Sequence, residues 1–281
     1  MNKNPFEENA HALKIKSEAL KNAETLLLRD AAAAYADGDD ISPYTTQEFY
    51  RSFSHCEDLL GEGFSAFCRE VSLRVSAESV FPRYEDNEYS PEITGKIAYI
   101  RNTYSDRAYT AFANEISRAS ALYYSSFRDI CEEVFYGRCE YAILPIYTSS
   151  DGQLSSFRKL IFRYDLKIVL ITDVPTDNDS FTRFALLQKG LSLNSNDGSG
   201  SVNLLVSLVI PPKAGLPEIL SSFTALGAHT VSVNTNSVEY TDTELCFDIT
   251  LSTSPELLAG LYLFLEGNGI RYDLIGKYRI I

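Results

Sequence analysis

The chain has 281 residues, 45% of them apolar and 22% charged, and 38 acidic against 25 basic side chains give a net charge of −13. That length exceeds one ordinary compact core, and the apolar content excludes global disorder. The negative average field excludes a nucleic-acid backbone as the natural partner. No apolar run approaches bilayer length, and the N-terminus is polar and acidic, so the expectation is a cytoplasmic protein with no membrane partner.

Five cysteines (Cys56, Cys68, Cys131, Cys139, Cys246) are odd in number, far apart and free of any CxxC pair. They read as small buried hydrophobes of a reducing compartment. With three histidines and no ligand spacing among them, neither a structural metal nor a cofactor is expected. Charge is uneven: residues 96–190 hold 12 basic and 11 acidic side chains, whereas residues 1–95 hold 9 and 18 and residues 191–281 hold 4 and 9. The middle segment can offer cations to an anionic small molecule.

In chain order, Leu13, Leu20, Leu27 and Ala34 recur at seven-residue spacing and predict a long helix over 9–36, stopped by Gly38. Thr45 or Thr46 is placed to cap a second helix running to Leu60, with Glu48 as capping-box partner, and a third is expected over 64–81. Residues 1–82 therefore read as a three-helix unit. Two prolines and clustered acids mark 82–95 as a linker. Residues 96–190 read as an α/β lobe: an apolar run at 97–100, helices at 104–119 and 126–137, and a strand Tyr141–Ile146 ended by Pro145. A helix near 153–163, a strand Leu166–Thr172 and a strand at 181–187 follow. After a polar connector, residues 201–281 alternate as strand (202–210), helix (216–227), strand (229–238), strand (244–252), helix (254–268) and strand (270–280). That is the βαββαβ order of a ferredoxin-like unit.

Particular motifs carry a resemblance. Lys213-Ala214-Gly215-Leu216 with Phe223, the strand from Tyr240 to Ile249, and Ile275-Gly276-Lys277-Tyr278 resemble the ACT domain, a regulatory amino-acid-binding module. Ser126–Ile130 through Glu140–Ile146, Phe181-Thr182-Arg183-Phe184, and Ile97–Tyr99 with Thr103–Ser105 resemble the prephenate dehydratase domain. The three leading helices are similar to chorismate mutase, so the domain order resembles the bifunctional chorismate mutase/prephenate dehydratase family. The resemblance implies a homodimer formed through ACT domains, with an amino acid or aromatic pathway metabolite as ligand.

The sequence also departs from that pattern. Where the family motif runs Pro-Ile-Glu-Asn-Ser, this chain has Tyr147-Thr148-Ser149 after Pro145-Ile146, and Ser149 and Thr182 stand 33 residues apart, too close for the family's second lobe. The lobe is expected to be single and truncated. Asn234-Thr235-Asn236-Ser237 replaces a charged Glu-Ser-Arg-Pro motif. Lys14 and Arg29 are too few cations for a chorismate dianion, so mutase activity is not expected.

The resemblance makes Thr182 the catalytic hydroxyl, with Arg183 and Ser149 lining the site; the plainer readings are a strand threonine and an arginine paired with Asp173, Asp177 or Asp179. Ala214, Gly215 and Leu216 would bring backbone N–H groups to an amino-acid carboxylate, with Asn234 and Asn236 beside them; the plainer reading of Gly215 is a helix-entry turn. The expected function is a prephenate dehydratase-related, amino-acid-binding regulator of phenylalanine biosynthesis. The alternative is an active dehydratase whose cleft is completed by another domain or subunit. A third possibility is a structural subunit of a biosynthetic enzyme.

Overall fold

The computed structural model describes residues 5–38, 40–54, 59–76, 80, 95–176, 179–191, 200–210, 215–236 and 246–281. The expected linker over 82–95, the turn at 211–214 and most of the polar connector lie outside them. In order, the elements are α1 (Pro5–Ala36), α2 (Pro43–Ser54), α3 (Glu62–Ser72), β1 (Lys96–Tyr99), α4 (Thr103–Ala113), β2 (Ser120–Tyr123), α5 (Phe127–Phe135), β3 (Tyr141–Thr148), β4 (Gly152–Gln153), α6 (Ser155–Arg163), β5 (Leu166–Pro175) and β6 (Phe181–Lys189). Then come β7 (Val202–Val209), α7 (Leu216–Ala225), β8 (His229–Asn236), β9 (Cys246–Thr253), a 3-10 turn, α8 (Leu258–Gly267) and β10 (Arg271–Ile280). The βαββαβ order expected for the C-terminal part is present.

The chain forms two compact units. One comprises Met1–Phe81, Lys213–Gly227 and Glu256–Ile270; the other comprises Pro82–Pro212, Ala228–Pro255 and Arg271–Ile281. The first is helical. Phe64, Phe67, Cys68 and Val71, at spacings of three and four, give α3 one fully buried face, as helical periodicity demands. That face meets α8, where a Cβ added at Gly260 would stand 2.7 Å from the Cys68 carbonyl; the glycine permits the close approach. α1 packs through its last turns, burying Ala32 and Tyr35, while Leu13, Leu20 and Leu27 are 67%, 72% and 67% exposed.

Three expectations for this unit need correction. Helix α2 begins at Pro43, because proline's fixed φ suits a first helical position, and Ser42 caps it: Thr45 N donates to Ser42 Oγ at 3.2 Å and Ser42 N to Thr45 Oγ1 at 3.0 Å. Glu48, expected as the box partner, pairs with Arg51 instead. The third helix ends at Ser72, well before residue 81, with Leu73 as its C-cap.

The second unit is one sheet in the order β2-β1-β3-β6-β5-β10-β7-β9-β8, with β4 against β3. β1 is parallel to β2 and β3, β6 runs antiparallel between β3 and β5, and β10 joins β5 in parallel. The ferredoxin-like strands thus continue the sheet of the middle lobe. Strand β2 was not expected, being four residues at the sheet edge. Helix α4 ends at Ala113, not 119, since Arg118 has φ 59° and leads into that strand.

Pro145 does not end β3. It lies within it opposite Phe184, and the register shifts between Pro145 and Tyr147; a bulge is where a strand tolerates the missing N–H. Side chains alternate between two cores: Ile97, Tyr99, Ile143, Phe184 and Leu186 pack with Ala108 and Phe112 of α4, while Ala98, Ala142, Leu144, Ala185 and Leu187 pack with residues of α5 and α6.

Gly276 explains how β10 joins β5. A Cβ there would lie 2.6 Å from both Cβ and O of Ile168, backbone that cannot rotate away. Gly276→Ala is expected to lower stability by about 1–3 kcal/mol, as overpacking does, read from the midpoint of urea denaturation; an unshifted midpoint would mean the two strands can part at no cost.

Candidate functional site

The topology of the middle strands marks a ligand-binding place before any residue is considered. From β1 the chain crosses through α4 to β2 on one side, then returns through α5 past β1 to β3. In open α/β sheets, ligands bind outside the carboxyl ends of strands at such a reversal. Here that end carries Arg101, Asn102 and Thr103 after β1, Tyr147, Thr148 and Ser149 at the end of β3, and Asp173 near the end of β5. The start of β6 joins them, because Tyr147 pairs with Arg183, Thr148 with Thr182, and Asp173 with Arg183. Thr182, Arg183 and Ser149 are therefore brought to one end of the sheet.

Their chemistry is largely absorbed internally. Ser149 N donates to the Phe181 carbonyl at 3.0 Å, and Phe181 N donates to Ser149 Oγ at 3.0 Å, so this serine extends the β3–β6 ladder. Thr148 closes the next turn, accepting from Asp151 N at 2.9 Å and donating to Asp151 Oδ2 at 3.0 Å. Arg183 donates from Nε and Nη2 to the two oxygens of Asp173, both at 2.7 Å. That fork first, with lesser help from the charge of Asp173, holds the guanidinium pKa above its ordinary value. The pairing with Asp173 is the plainer reading of Arg183.

Strand alternation separates the candidates further. Arg183 lies on the face of Ala185 and Leu187, its guanidinium 5.7 Å from the Tyr147 ring and 5.8 Å from the Phe181 ring. Thr182, one residue earlier, shares the α4 face with Phe184 and Leu186. Adjacent strand residues point to opposite faces, so Thr182 and Arg183 do not converge.

On the β1 side of this end, the N-terminus of α4 is closed by its own cap: Asn102 Oδ1 accepts from Tyr104 N at 3.0 Å and Ser105 N at 2.9 Å. Arg101 behaves differently from Arg183. Its side chain is 68% exposed, with Nε 3.8 Å from Asp106 Oδ2 and the guanidinium 5.1 Å above the Tyr123 ring.

The expected amino-acid-binding residues fall in both compact units. Ala214 lies outside the described residues. Gly215 is the N-cap of α7 with φ −94° and ψ 156°, and Leu216 is its first residue. That backbone is open to any residue, and the atom nearest to a Cβ built there is the Glu218 carboxylate, the mobile end of a side chain. Glu218 thus folds over the helix start, where a ligand carboxylate was expected. In the sheet unit, Asn234 is exposed on β8 opposite Asp248, and Asn236 ends β8 opposite Cys246.

Sequence reasoning missed the strongest polar cluster. Asp248 is fully buried and held by both Nε and Nη2 of Arg158, the latter at 2.7 Å from Oδ1, while Nη2 also reaches Ser207 Oγ at 3.1 Å. The signal was present: one acid inside an otherwise uncharged buried strand. Burial also raises the thiols, Cys131 to about 12 and Cys139 to about 11, so both stay protonated. Among the described residues no three His, Cys, Asp or Glu side chains gather as a metal-ligand set, and no helix is long and apolar enough to cross a membrane.

Comparison with known proteins places this arrangement. Residues 100–174, from the end of β1 through β5, match the family model for prephenate dehydratase. Among solved structures, prephenate dehydratase from Streptococcus mutans is similar with a TM-score of 0.54 and 23% identity, over 66% of this chain and 99% of that one. Prephenate dehydratase from Arthrobacter aurescens, solved in complex with L-Phe, is similar with a TM-score of 0.51 and 13% identity, over 65% and 89%. GqqA, described as a novel type of quorum quenching acylase, is similar with a TM-score of 0.50 and 19% identity, over 65% and 94%. No curated protein matches in sequence. Two activities on one fold mean that the fold does not choose between them. Over about two thirds of its length the chain has the mixed α/β fold of prephenate dehydratases, and residues 100–174 carry that family's sequence pattern.

Proposed function

We propose that this protein is a prephenate dehydratase relative of phenylalanine biosynthesis that binds an amino acid or an aromatic pathway carboxylate and no longer dehydrates prephenate. The carrying observation is the Arg183–Asp173 fork, both of whose hydrogen bonds are 2.7 Å long. A cation so neutralised is not available to a substrate carboxylate, and Thr182 points away from it. The substitution of Tyr147 and Thr148 for a carboxylate and an amide supports the same reading. Binding without turnover fits an ACT-like C-terminal part, a homodimer and a cytoplasmic setting, and the L-Phe complex of the Arthrobacter protein makes phenylalanine the first ligand to try.

Calorimetry with the twenty amino acids, prephenate and chorismate at millimolar concentration tests it. Heat is expected with at least one of them, and none with any would end the reading. If the alternative of an active enzyme held, a substrate carboxylate would have to displace Asp173 from Arg183, and Asp173→Ala would then tighten prephenate binding.

A further inference from the structure

We propose that Arg101, stacked on Tyr123 at the carboxyl ends of β1 and β2, is the carboxylate receptor of a small-molecule site that takes an aromatic organic acid. The aromatic class rests in part on the proposed function; the receptor itself rests on the geometry.

Three guanidinium groups stand near the carboxyl end of the middle strands, and their states differ. Arg183 is held by both oxygens of Asp173 through Nε and Nη2. Arg107 donates to the Pro175 carbonyl at 3.4 Å. Arg101 makes no hydrogen bond among the described residues: it forms a loose ion pair with Asp106, whose Oδ2 lies 3.8 Å from its Nε, while the other oxygen, Oδ1, accepts from the Tyr99 hydroxyl at 3.0 Å.

The Tyr123 ring, 5.1 Å from the guanidinium carbon, holds Arg101 through its face without accepting a conventional hydrogen bond. The five N–H groups of a guanidinium form the fork that binds a carboxylate through two parallel bonds. The ring below is itself fixed: Tyr123 packs edge-on to Tyr99 at 5.3 Å, and Tyr99 stacks on Tyr109 at 5.2 Å. Tyr123 nevertheless remains 52% exposed, which leaves aromatic surface beside the fork for the ring of a ligand. The negative neighbour Asp106 keeps a dianion less welcome than a monocarboxylate.

The test is calorimetric titration of the full chain with phenylpyruvate and with prephenate, comparing wild type, Arg101→Met, Arg101→Lys, Tyr123→Leu and Arg183→Met. Arg101→Met is expected to weaken phenylpyruvate binding about tenfold or more, the value of a charged hydrogen-bonded pair. Arg101→Lys keeps the charge and loses the fork, so it recovers only part of that loss. Tyr123→Leu weakens binding by a smaller factor, and Arg183→Met leaves it unchanged. Because Arg101 is exposed, the melting temperature should not move in its variants. Unchanged affinity in Arg101→Met overturns this assignment and leaves the proposed function standing. Wild type binding neither acid overturns it too, while amino-acid binding in the wider panel is judged separately.

Discussion

Asp248→Ala is expected to destabilise the protein by about 3–5 kcal/mol, because it strips the partner from a charge held in a dry site. Asp248 has no exposed surface and the Arg158 side chain is 21% exposed, so solvent reaches the pair only from the arginine's side and rehydrates the arginine that is left only in part. Arg158 leaves α6 to reach a carboxylate on β9, 90 residues later in the chain, and also packs 4.3 Å above the Phe162 ring. The loss should appear as a lowered urea midpoint with an unchanged slope. A double variant, Arg158→Met with Asp248→Leu, should recover most of it, since removing both partners leaves no orphaned charge. A single-variant loss below about 1 kcal/mol would instead place the pair among screened surface contacts.

Phe67→Ala should cost the helical unit a similar amount, about 3–5 kcal/mol, as ring-to-methyl truncations in closed cores do. Phe67 is fully buried and its ring has four aromatic neighbours, Tyr35, Phe49, Tyr50 and Phe53, with centroids 5.6 to 6.0 Å away. Leu20→Ala on α1 is the natural control. That leucine is 72% exposed, and its loss should stay within about 0.5 kcal/mol. Equal losses at the two positions would mean that the α3 face is not the core.

The pattern of the chain made some features legible and left others hidden for physical reasons. The C-terminal βαββαβ order could be read because each strand runs eight to ten residues and each helix is bounded by glycine or proline. The cap of helix α2 was misplaced by three or four residues because Ser42-Pro43 and Thr45-Thr46 offer overlapping caps, and only the hydrogen bonds choose between them. β2 carries four residues at an edge, too few to show a period. Pro145 reads as a terminator in isolation, but a register shift shelters it inside β3. The joining of β10 to β5 is invisible to periodicity, which reports faces and not neighbours.

The site was legible in position more than in state. Thr182, Arg183 and Ser149 do meet at the carboxyl end of the sheet, and the acidic stretch before Arg183 foretold its pairing with Asp173. Which face each residue takes depends on register, so the divergence of Thr182 from Arg183 required the pairing of β3, β5 and β6. Gly215 was noticed for the backbone it leaves free; that Glu218 folds over it could be suspected only from its place three residues into the helix. Arg101 was passed over because an exposed arginine is common, and its stacking on Tyr123 depends on a strand that the sequence did not announce.

The most direct measurement is phenylpyruvate formation from prephenate by the purified protein, run beside a Thr182→Ala variant that excludes a contaminating enzyme. The proposed function predicts no turnover above the spontaneous background in either. Turnover in the wild type that disappears in Thr182→Ala would contradict it, showing that a working cleft is assembled around Thr182 despite the Arg183–Asp173 fork.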